Sequence, residues 1–594
     1  MRAGELILPL LYGATRAAAV DSFDYIIVGA GTAGLVVANR LTEDPSVTVG
    51  VIEPGTDQRD NPDVSDWRRA SVPLGTAVDW NYTTTKQSGA NDRELEANQG
   101  KAWGGTSAIN GMFYIRGDAA QFDAWEDLGN PGWNWDSLFP YFKKSEKHTV
   151  PSDAQLAGGA TYEPQHHGFE GYVHTGYPLA LRNSSFASTM LQTFKGLDVP
   201  HNPDFNGGDV YGFTAVPQTL DTKLDIRWDA ARAYLYPIEQ RSNLKIIQGT
   251  VTRILWESEK ADRSSCGSDC SFARGVQFVT DDGEGHTLDA KKEVIISAGV
   301  YRTPLVLEGS GIGNPRILEA LGIKTEVDLP GVGENLQDRS NNYLAFAGYM
   351  GASASAYMHF YKASDLFGSK ITGIEASTRA SLSKWAQAIV DASGSSALQV
   401  TAIEKLLRVQ HDLLFKHNVT AAEILTGVAP LGVELFGSSF WTLMPFSRGN
   451  VHLQSTENIH KPLIDPRFFL IDFDLTTAVA LGKLARKFWL SKRVNEFTKT
   501  QVVPPVNILP KDATDAQWES FMRANSTDNY HAIGTASMMP RELGGVVDPE
   551  LRVYGTANVR VVDASVLPIR FSGHPMATIY AVAERAADII KKAW

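Results

Sequence analysis

The sequence of 594 residues is poor in cysteine, in long apolar runs and in net positive charge, and each shortage excludes a class of protein. Two cysteines cannot build a disulfide scaffold or complete a four-thiolate zinc site. No later stretch is long and apolar enough to span a membrane. The net charge of −12 argues against nucleic acids and membrane surfaces as partners. The chain also lacks internal repeats and low-complexity segments.

Residues 1–20 have the pattern of an export signal, with Arg2, an apolar run over 6–11 and alanines at 17–19. The alternative is a frayed apolar N-terminus. In an exported protein, Cys266 and Cys270 are predicted to close a small disulfide loop. Four Asn-x-Ser/Thr triplets also suit a secreted, glycosylated chain. They begin at Asn81, Asn183, Asn418 and Asn525.

Residues 24–34 read as a strand, a tight glycine turn and the start of a helix. Gly29 permits the sharp turn, Gly31 lets the backbone approach a pyrophosphate, and Gly34 lets the helix pack closely on the strand. Glu53 ends a second strand about 20 residues later, where an acid binds ribose hydroxyls. The pattern predicts a dinucleotide site, although NAD and FAD both use this unit. The alternative is a glycine-rich turn that binds nothing.

A chain of this length is expected to form more than one domain. Strand-like runs recur at 244–255, 273–279, 292–299 and 559–563, followed by a helix over 577–593. They are expected to complete the first sheet after insertions. The predicted fold is therefore α/β, with a dinucleotide-binding domain and an inserted second domain over its ligand. The boundaries are 21–120, 226–330 and 541–594 for the first domain, and 121–225 and 331–540 for the second.

Further motifs carry candidate chemistry. Residues 100–112 and 299–313 are glycine-rich loops that can lie against a flat ring or a phosphate. His531 and His574 each lie in a polar turn that contains glycine. A lone histidine is more often structural than catalytic. Two in similar settings, both near the return to the first sheet, favour a pair that faces a reaction centre.

Taken together, these motifs resemble the glucose–methanol–choline (GMC) family of FAD oxidoreductases, from about residue 23 to the C-terminus. The resemblance implies a Rossmann-like FAD-binding domain and an α+β substrate domain built on an antiparallel sheet. It also decides for FAD over NAD. Asn110 stands where some members carry a histidine linked to flavin, so the FAD is expected to be non-covalent. The implied cofactor residues are Gly29, Gly31, Thr32, Ala33, Gly34, Glu53, Gly104, Thr106, Asn110, Gly111, Met112, Val251, Asp563, Ala564, Pro575 and Met576.

The resemblance also implies a reaction. A hydride passes from an alcohol carbon to the flavin, while His531 takes the hydroxyl proton and His574 hydrogen-bonds the same oxygen. The expected substrate residues are Tyr82, Ser439, Trp441, Thr527 and Asn529. The acceptor is oxygen or a quinone. No metal ion is required, and the sequence leaves both a monomer and a homodimer open.

Within the family the chain resembles the fungal FAD glucose dehydrogenases, yet Ser439 and Thr527 stand where those enzymes carry Glu and Arg. Losing two charged partners weakens sugar binding by roughly 1.5–3 kcal/mol each. A small aryl or heterocyclic primary alcohol is therefore expected, as in enzymes of fungal secondary metabolism similar to patulin synthase. Three alternatives stay open: a sugar dehydrogenase or oxidase, a non-redox cyclase with structural FAD, and a flavin-fold protein without catalysis.

Overall fold

The computed structural model describes residues 22–257, 270–348, 356–394, 398–428, 435–458 and 460–594. The predicted export signal and Cys266 lie outside these ranges, so both remain predictions. Cys270 is buried, and the described part of the chain contains no free cysteine. No helix within the described ranges has the length and apolarity needed to cross a membrane.

The first sheet has seven strands among the described residues and is mainly parallel at its centre. Its central strand reads Tyr25-Ile26-Ile27-Val28 and is buried on both faces, as a parallel strand covered by helices must be. In spatial order the strands are Leu244–Gln248, Val49–Glu53, Ser22–Val28, Gly285–Ile296, Ala273–Val279 and Thr250–Trp256, with Val559–Val561 also paired to Gly285–Ile296.

The second sheet is antiparallel and also has seven strands among the described residues. Together with the first sheet it confirms the predicted α/β fold with an antiparallel second sheet. The domain boundaries themselves remain a prediction. In spatial order the strands are Thr498–Val503, Ser340–Gly348, Leu435–Thr442, Thr420–Val428, Tyr357–Lys362 and Gly212–Ala215, with Thr527–Asp528 also paired to Ser340–Gly348.

Five short two-stranded pairs complete the described strands. They are Tyr82–Thr83 with Glu96–Ala97, Glu146–His148 with Val173–Thr175, Leu220–Asp221 with Ile226–Arg227, Ile312–Gly313 with Val327–Asp328, and Asn450–Leu453 with Pro462–Asp465.

The helices cover both sheets. Thr32–Leu41 packs beside Pro575–Ala593, and Arg40 makes a two-pronged ion pair with Glu584 at 2.7 Å. Asp472–Trp489 packs on the second sheet, where the Trp489 indole donates to Ser438. The other α-helices are Pro62–Ser65, Ala119–Asp127, Trp135–Ser145, Asp153–Ala157, Ser185–Gly196, Thr303–Gly309, Pro315–Ala320, Ala363–Phe367, Ile371–Ser393, Val400–Phe415, Lys492–Asn495 and Asp515–Asn525.

All four predicted glycosylation asparagines are exposed. Asn81 and Asn418 also have a φ of +52°, a left-handed conformation that asparagine tolerates in turns. The exposure of these residues is compatible with modification, and the glycosylation itself remains a prediction.

A buried ionic network links residues that are far apart in the segment 116–204. His167 is clamped between Glu146 and Asp204, with both nitrogen–oxygen distances at 2.9 Å, and Arg116 reaches the second oxygen of Glu146 at 2.8 Å. Atoms of Glu146, His148 and His167 lie within 4.8 Å of one another, a spacing that could hold a metal ion. In this network the Arg116 guanidinium already supplies the positive charge beside the Glu146 carboxylate. Although burial disfavours the charged ring, the two carboxylates raise the pKa of His167 to about 9.

This network predicts a pH dependence of stability. Because the native state holds the His167 proton more tightly than the unfolded chain, the contribution is complete below pH ~6.5 and is lost as the pH rises to about 9. Thermal unfolding followed from pH 6 to 9.5 should show a falling midpoint, and His167→Gln should flatten that fall. His286→Gln, at a side chain 43% exposed, is the control. An unchanged alkaline slope in His167→Gln would contradict the assignment.

Candidate functional site

One cavity of about 550 Å³ runs between the carboxyl ends of the first sheet's parallel strands and the face of the second sheet. Gly29 and Glu53 line one end, and His531 and His574 line the other. This volume is typical of a small-molecule site, and ligands of open α/β sheets bind outside the carboxyl ends of the strands.

The glycine turn at the first end has little room for side chains. Gly29 has a φ of +106°, and a Cβ there would lie 2.5 Å from the Ser297 carbonyl oxygen. A Cβ on Gly34 would lie 2.1 Å from the Gly29 oxygen, so Gly34 allows the helix to pack on the turn. The Glu53 carboxylate accepts backbone N–H groups from Ala30 and Gly55 at 2.9 and 2.7 Å. Burial raises its pKa to about 7 against these contacts.

The second glycine loop presses directly against the first. The Gly104 N–H donates to the Ala30 oxygen at 2.9 Å, and a Cβ on Gly105 would lie 2.7 Å from the Gly31 Cα. The Thr106 hydroxyl accepts the Gly100 N–H at 3.1 Å. Two loops that are remote in sequence therefore form one continuous backbone wall of the cavity.

The residues at this end fit a dinucleotide such as FAD. The helix Thr32–Leu41 begins at the cavity without a side-chain cap, so its first N–H groups and its positive dipole end are available to phosphate. Asn98 Oδ1 and Gln99 Oε1 are buried in the cavity lining without a hydrogen-bond partner. A ligand that donates hydrogen bonds would satisfy both. No sequence motif indicated Asn98 or Gln99, because neither lies in a glycine loop.

Of the predicted cofactor residues, all but Gly34 and Gly104 line the cavity. Gly34 and Gly104 support the loops from behind, through the contacts described above. The lining residues are Gly29, Gly31, Thr32, Ala33, Glu53, Thr106, Asn110, Gly111, Met112, Val251, Asp563, Ala564, Pro575 and Met576.

Asp563 and Asn110 are held by internal hydrogen bonds as well as lining the cavity. Asp563 accepts the Gly299 N–H at 2.9 Å and the Thr303 hydroxyl at 2.6 Å, which fastens the third glycine-rich loop to the last strand. Asn110 Oδ1 accepts the Met112 N–H and one Arg227 N–H, both at 3.0 Å. These bonds fix both side chains before any ligand binds.

The two predicted histidines meet at the far end of the cavity. Their ring centroids are 4.7 Å apart, and Trp441 packs edge-on against both rings at 6.1–6.2 Å. His574 immediately precedes the proline that opens the helix Pro575–Ala593. Burial lowers the pKa of His531 well below its usual range, and the positive charges of Arg339 and Arg570 act in the same direction.

Glu423 is a functional residue that the sequence motifs missed. It is fully buried on the strand Thr420–Val428. One carboxylate oxygen accepts His574 Nε2 at 3.0 Å, and the other accepts the Trp441 indole N–H at 3.0 Å. Its signal in the sequence is a single acid inside the apolar run Ala421-Ala422-Glu423-Ile424-Leu425. An unpaired acid is rarely buried, so it indicates a partner.

Arg339 is the second missed residue. It is fully buried, and its guanidinium donates to His531 Nδ1 at 3.2 Å and to the carbonyl oxygens of Phe571 and Gly573. The Asn529 amide also contacts His531 Nδ1, at 2.8 Å. Burial lowers the pKa of Arg339 to about 9, which leaves it charged at neutral pH.

Three of the five predicted substrate residues line the cavity: Ser439, Trp441 and Asn529. Tyr82 and Thr527 do not line it, so their contact with substrate remains a prediction. Tyr82 stacks behind Trp80 at a centroid distance of 5.7 Å, and its hydroxyl accepts an Arg302 N–H. Thr527 is exposed, because its register opposite Asn341 at the sheet end points it to solvent.

A family model described as GMC oxidoreductase matches residues 23–341 with its N-terminal part and residues 445–583 with its C-terminal part. The chain belongs to the GMC oxidoreductase family. This GMC protein is 56% identical over 588 residues to the glucose oxidase-like protein fsoC of Humicola fuscoatra, covering 99% of this chain and 98% of that one. It is 34% identical to the glucose oxidase of Penicillium chrysogenum over 96% and 92% of the two chains.

Solved structures of other oxidoreductases agree with the fold. A fungal aryl-alcohol oxidase superposes with a TM-score of 0.84 at 27% identity, over 97% of this chain and 99% of that one. An FAD-dependent oxidoreductase from Chaetomium thermophilum superposes with a TM-score of 0.83 at 29% identity, over 96% and 99%. The family and the cavity together identify an FAD-dependent oxidoreductase that acts on alcohols.

The close contact between the two glycine loops predicts that FAD retention depends on Gly105. Gly105→Ala must push its loop away from Gly31, which should weaken FAD retention by about tenfold or more. The measurement is the ratio of flavin to protein absorbance after gel filtration at falling concentrations. Gly75→Ala is the matched control, since Gly75 also has a positive φ (+72°) but no atom within 4 Å of an added Cβ. Equal retention in both variants would contradict the role of this contact.

Proposed function

We propose that this protein oxidises a small primary alcohol of low polarity, aryl or heterocyclic, with non-covalent FAD as hydride acceptor and the histidine pair as proton-handling groups. The observation that carries the proposal is the position of His531 and His574. The two rings lie 4.7 Å apart at one end of a cavity whose other end suits a dinucleotide. When bound, FAD supplies a flavin that accepts a hydride from carbon.

The lining near the histidines supports a substrate of low polarity. Aromatic and aliphatic side chains dominate there, from Phe113, Leu425, Trp441 and Tyr530. The polar groups are the Ser439 hydroxyl and the amides of Asn341 and Asn529. None of these seven side chains is a lysine, an arginine or a carboxylate. An aromatic ring that bears one hydroxymethyl group matches such a surface better than a sugar with a hydroxyl on each carbon.

The protein's own groups perform three tasks around the alcohol. The Trp441 ring and the neighbouring apolar side chains exclude water from the reacting carbon. The Asn529 amide and Arg339 hold the His531 ring, and Glu423 holds the His574 ring. The two imidazoles then hold the alcohol oxygen and handle its proton.

Glucose oxidation is the second candidate, because relatives named glucose oxidase are 34% identical to this chain. The polar groups near the histidines are too few to bind several sugar hydroxyls. The exposed position of Thr527 removes one of the two sites used to argue against sugars, so this argument now depends on Ser439 and its neighbours. Ser439 lies at the cavity surface on the strand Leu435–Thr442.

We also propose that the enzyme is secreted and glycosylated and acts in fungal secondary metabolism, with oxygen or a quinone as second substrate. The four exposed Asn-x-Ser/Thr asparagines support secretion. The 56% identity to a fungal protein supports the fungal context. Mass spectrometry of the protein from its native source tests the glycans and the Cys266–Cys270 link together.

An alcohol panel tests the proposed function. Anaerobic mixing with benzyl alcohol or hydroxymethylfurfural should bleach the bound flavin. The kcat/KM for glucose should be at least about 10²-fold below that for these alcohols, because the cavity offers too few partners for the glucose hydroxyls. Reoxidation with oxygen and with a quinone then identifies the acceptor. Rapid glucose turnover would overturn the substrate proposal. A flavin that no alcohol bleaches would instead favour a cyclase with structural FAD or a non-catalytic flavin protein.

A further inference from the structure

A second buried carboxylate, that of Asp118, lies behind the hydrogen bond between Glu423 and His574. We propose that Asp118 is a positioning residue for the alcohol oxidation, because it joins the strand that carries Glu423 to the segment that ends in His574. The inference rests on the proposed function. Asp118 itself does not line the cavity, so its effect on the reaction must pass through Glu423 and His574.

One oxygen of Asp118 accepts hydrogen bonds from two parts of the chain that are remote in sequence. Asp118 Oδ2 accepts the Thr420 N–H at 2.9 Å, the Thr420 hydroxyl at 2.7 Å and the Ser572 hydroxyl at 2.9 Å. Thr420 opens the strand Thr420–Val428, three residues before Glu423. Ser572 lies two residues before His574. A single oxygen atom therefore joins the two segments close to the residues that meet at the cavity.

Gln121, on the helix Ala119–Asp127, supports the same junction. Its amide N–H donates to the Ser572 hydroxyl at 2.8 Å, and its Oε1 accepts the Ser572 backbone N–H at 2.7 Å. The hydroxyls of Thr420 and Ser572 lie 2.6 Å apart. Asp118 is 7% exposed, and the other three residues are fully buried. A buried polar cluster whose members bond one another in this way is rigid.

The backbone beside Asp118 also contacts the segment that leads into His574. The His574 N–H donates to the Ile115 carbonyl oxygen at 3.2 Å, and a Cβ on Gly573 would lie 2.2 Å from the Arg116 carbonyl oxygen. The two stretches therefore run in close contact. Asp118 lies at the end of this contact, where it adds the strand of Glu423 as a third partner.

The donors around Asp118 differ from those around Glu423. Its partners are the two hydroxyls, the Thr420 N–H and the Val210 N–H, which reaches the other carboxylate oxygen at 3.1 Å. Burial raises the pKa of Asp118, and these hydrogen bonds oppose that rise. Because only neutral donors hold this buried carboxylate, its stability depends on the geometry of all of them.

The Glu423–His574 bond benefits from a second attachment nearby. That bond is 3.0 Å long and links a strand of the second sheet to the start of the last helix. One hydrogen bond allows the strand to pivot about it, whereas a second attachment three residues away fixes both position and direction. Catalytic groups must be held to within about 0.5 Å, and a displacement of about 1 Å can slow a reaction roughly 10²-fold.

Substitution of Asp118 tests this role. In Asp118→Ala, the limiting rate of anaerobic flavin reduction by benzyl alcohol should fall by about 10²-fold, because the two segments separate. Asp118→Asn keeps one acceptor oxygen, so its rate should lie between those of Asp118→Ala and the parent. The apparent Kd for the alcohol and the ratio of flavin to protein should change little, because no residue that lines the cavity is replaced.

Asp474 provides the matched control. It is 4% exposed and accepts the Phe446 N–H, the Ser447 N–H and the Ser447 hydroxyl at 2.6–2.8 Å. It lies in the first turn of the helix Asp472–Trp489, and neither it nor its partners line the cavity. Asp474→Ala should lower the thermal midpoint, as Asp118→Ala does, but leave the limiting reduction rate at the parent value. Equal slowing in both variants would overturn the proposal.

A double-mutant cycle tests whether Asp118 acts through Glu423. If it does, adding Asp118→Ala to Glu423→Gln should slow flavin reduction far less than Asp118→Ala slows it in the parent. Two effects that multiply would show independent action and contradict the assignment.

Crystal structures of the variant holoenzymes supply a readout that needs no turnover. The separation of Glu423 from His574 Nε2, 3.0 Å in the parent, should exceed hydrogen-bonding range in Asp118→Ala and stay unchanged in Asp474→Ala. If Asp118→Ala does not fold, Ser572→Ala removes one donor of the same junction and should lengthen the bond less. An intact bond in a folded variant would overturn the proposal.

These readouts keep two failures apart. If no alcohol reduces the flavin, the proposed function fails, while the crystal structures still decide whether Asp118 positions the pair. If alcohols reduce the flavin equally fast in the parent and in Asp118→Ala, the proposed function stands and the role of Asp118 is rejected.

Discussion

The arrangement of the cavity depends on the hydrogen bonds of the buried Glu423 carboxylate. A fully buried carboxylate is costly unless strong donors surround it. It finds them on two different parts of the molecule: His574 at the start of the last helix, and Trp441 on the neighbouring strand of the second sheet. The last helix packs beside the helix that follows the glycine turn. One anion therefore aligns the surface that handles the substrate with the surface that holds the cofactor.

The local parts of this protein follow from its sequence, because short-range rules decide them. The apolar run Tyr25-Ile26-Ile27-Val28 forms a buried parallel strand, and Gly29 turns sharply because only a glycine fits 2.5 Å from the Ser297 oxygen. The proline after His574 starts the last helix. Each of these features needs only a few neighbouring residues, so the sequence alone could predict the strand, the turn and the helix.

The long-range parts do not follow in the same way. Glu423 and Arg339 act on histidines more than 150 residues away, and the pairing register of the second sheet decides which side chains face the cavity. The same register turns Thr527 outward, and stacking behind Trp80 removes Tyr82 from the lining. The position of a residue in the family pattern predicts that it lies near the substrate, but it does not determine the direction of its side chain. A register error of one residue reverses that direction.

Arg339 explains why the two histidines cannot be treated as independent groups. A buried guanidinium needs acceptors for its N–H groups, and here they are one imidazole nitrogen and two carbonyl oxygens of the segment that leads into His574. The same side chain therefore orients His531 directly and positions His574 through its backbone. The two rings are held together, yet the Arg339 guanidinium contacts His531 and the Glu423 carboxylate contacts His574. Two residues of the same type therefore have different surroundings: a guanidinium and an amide contact His531, whereas a carboxylate contacts His574.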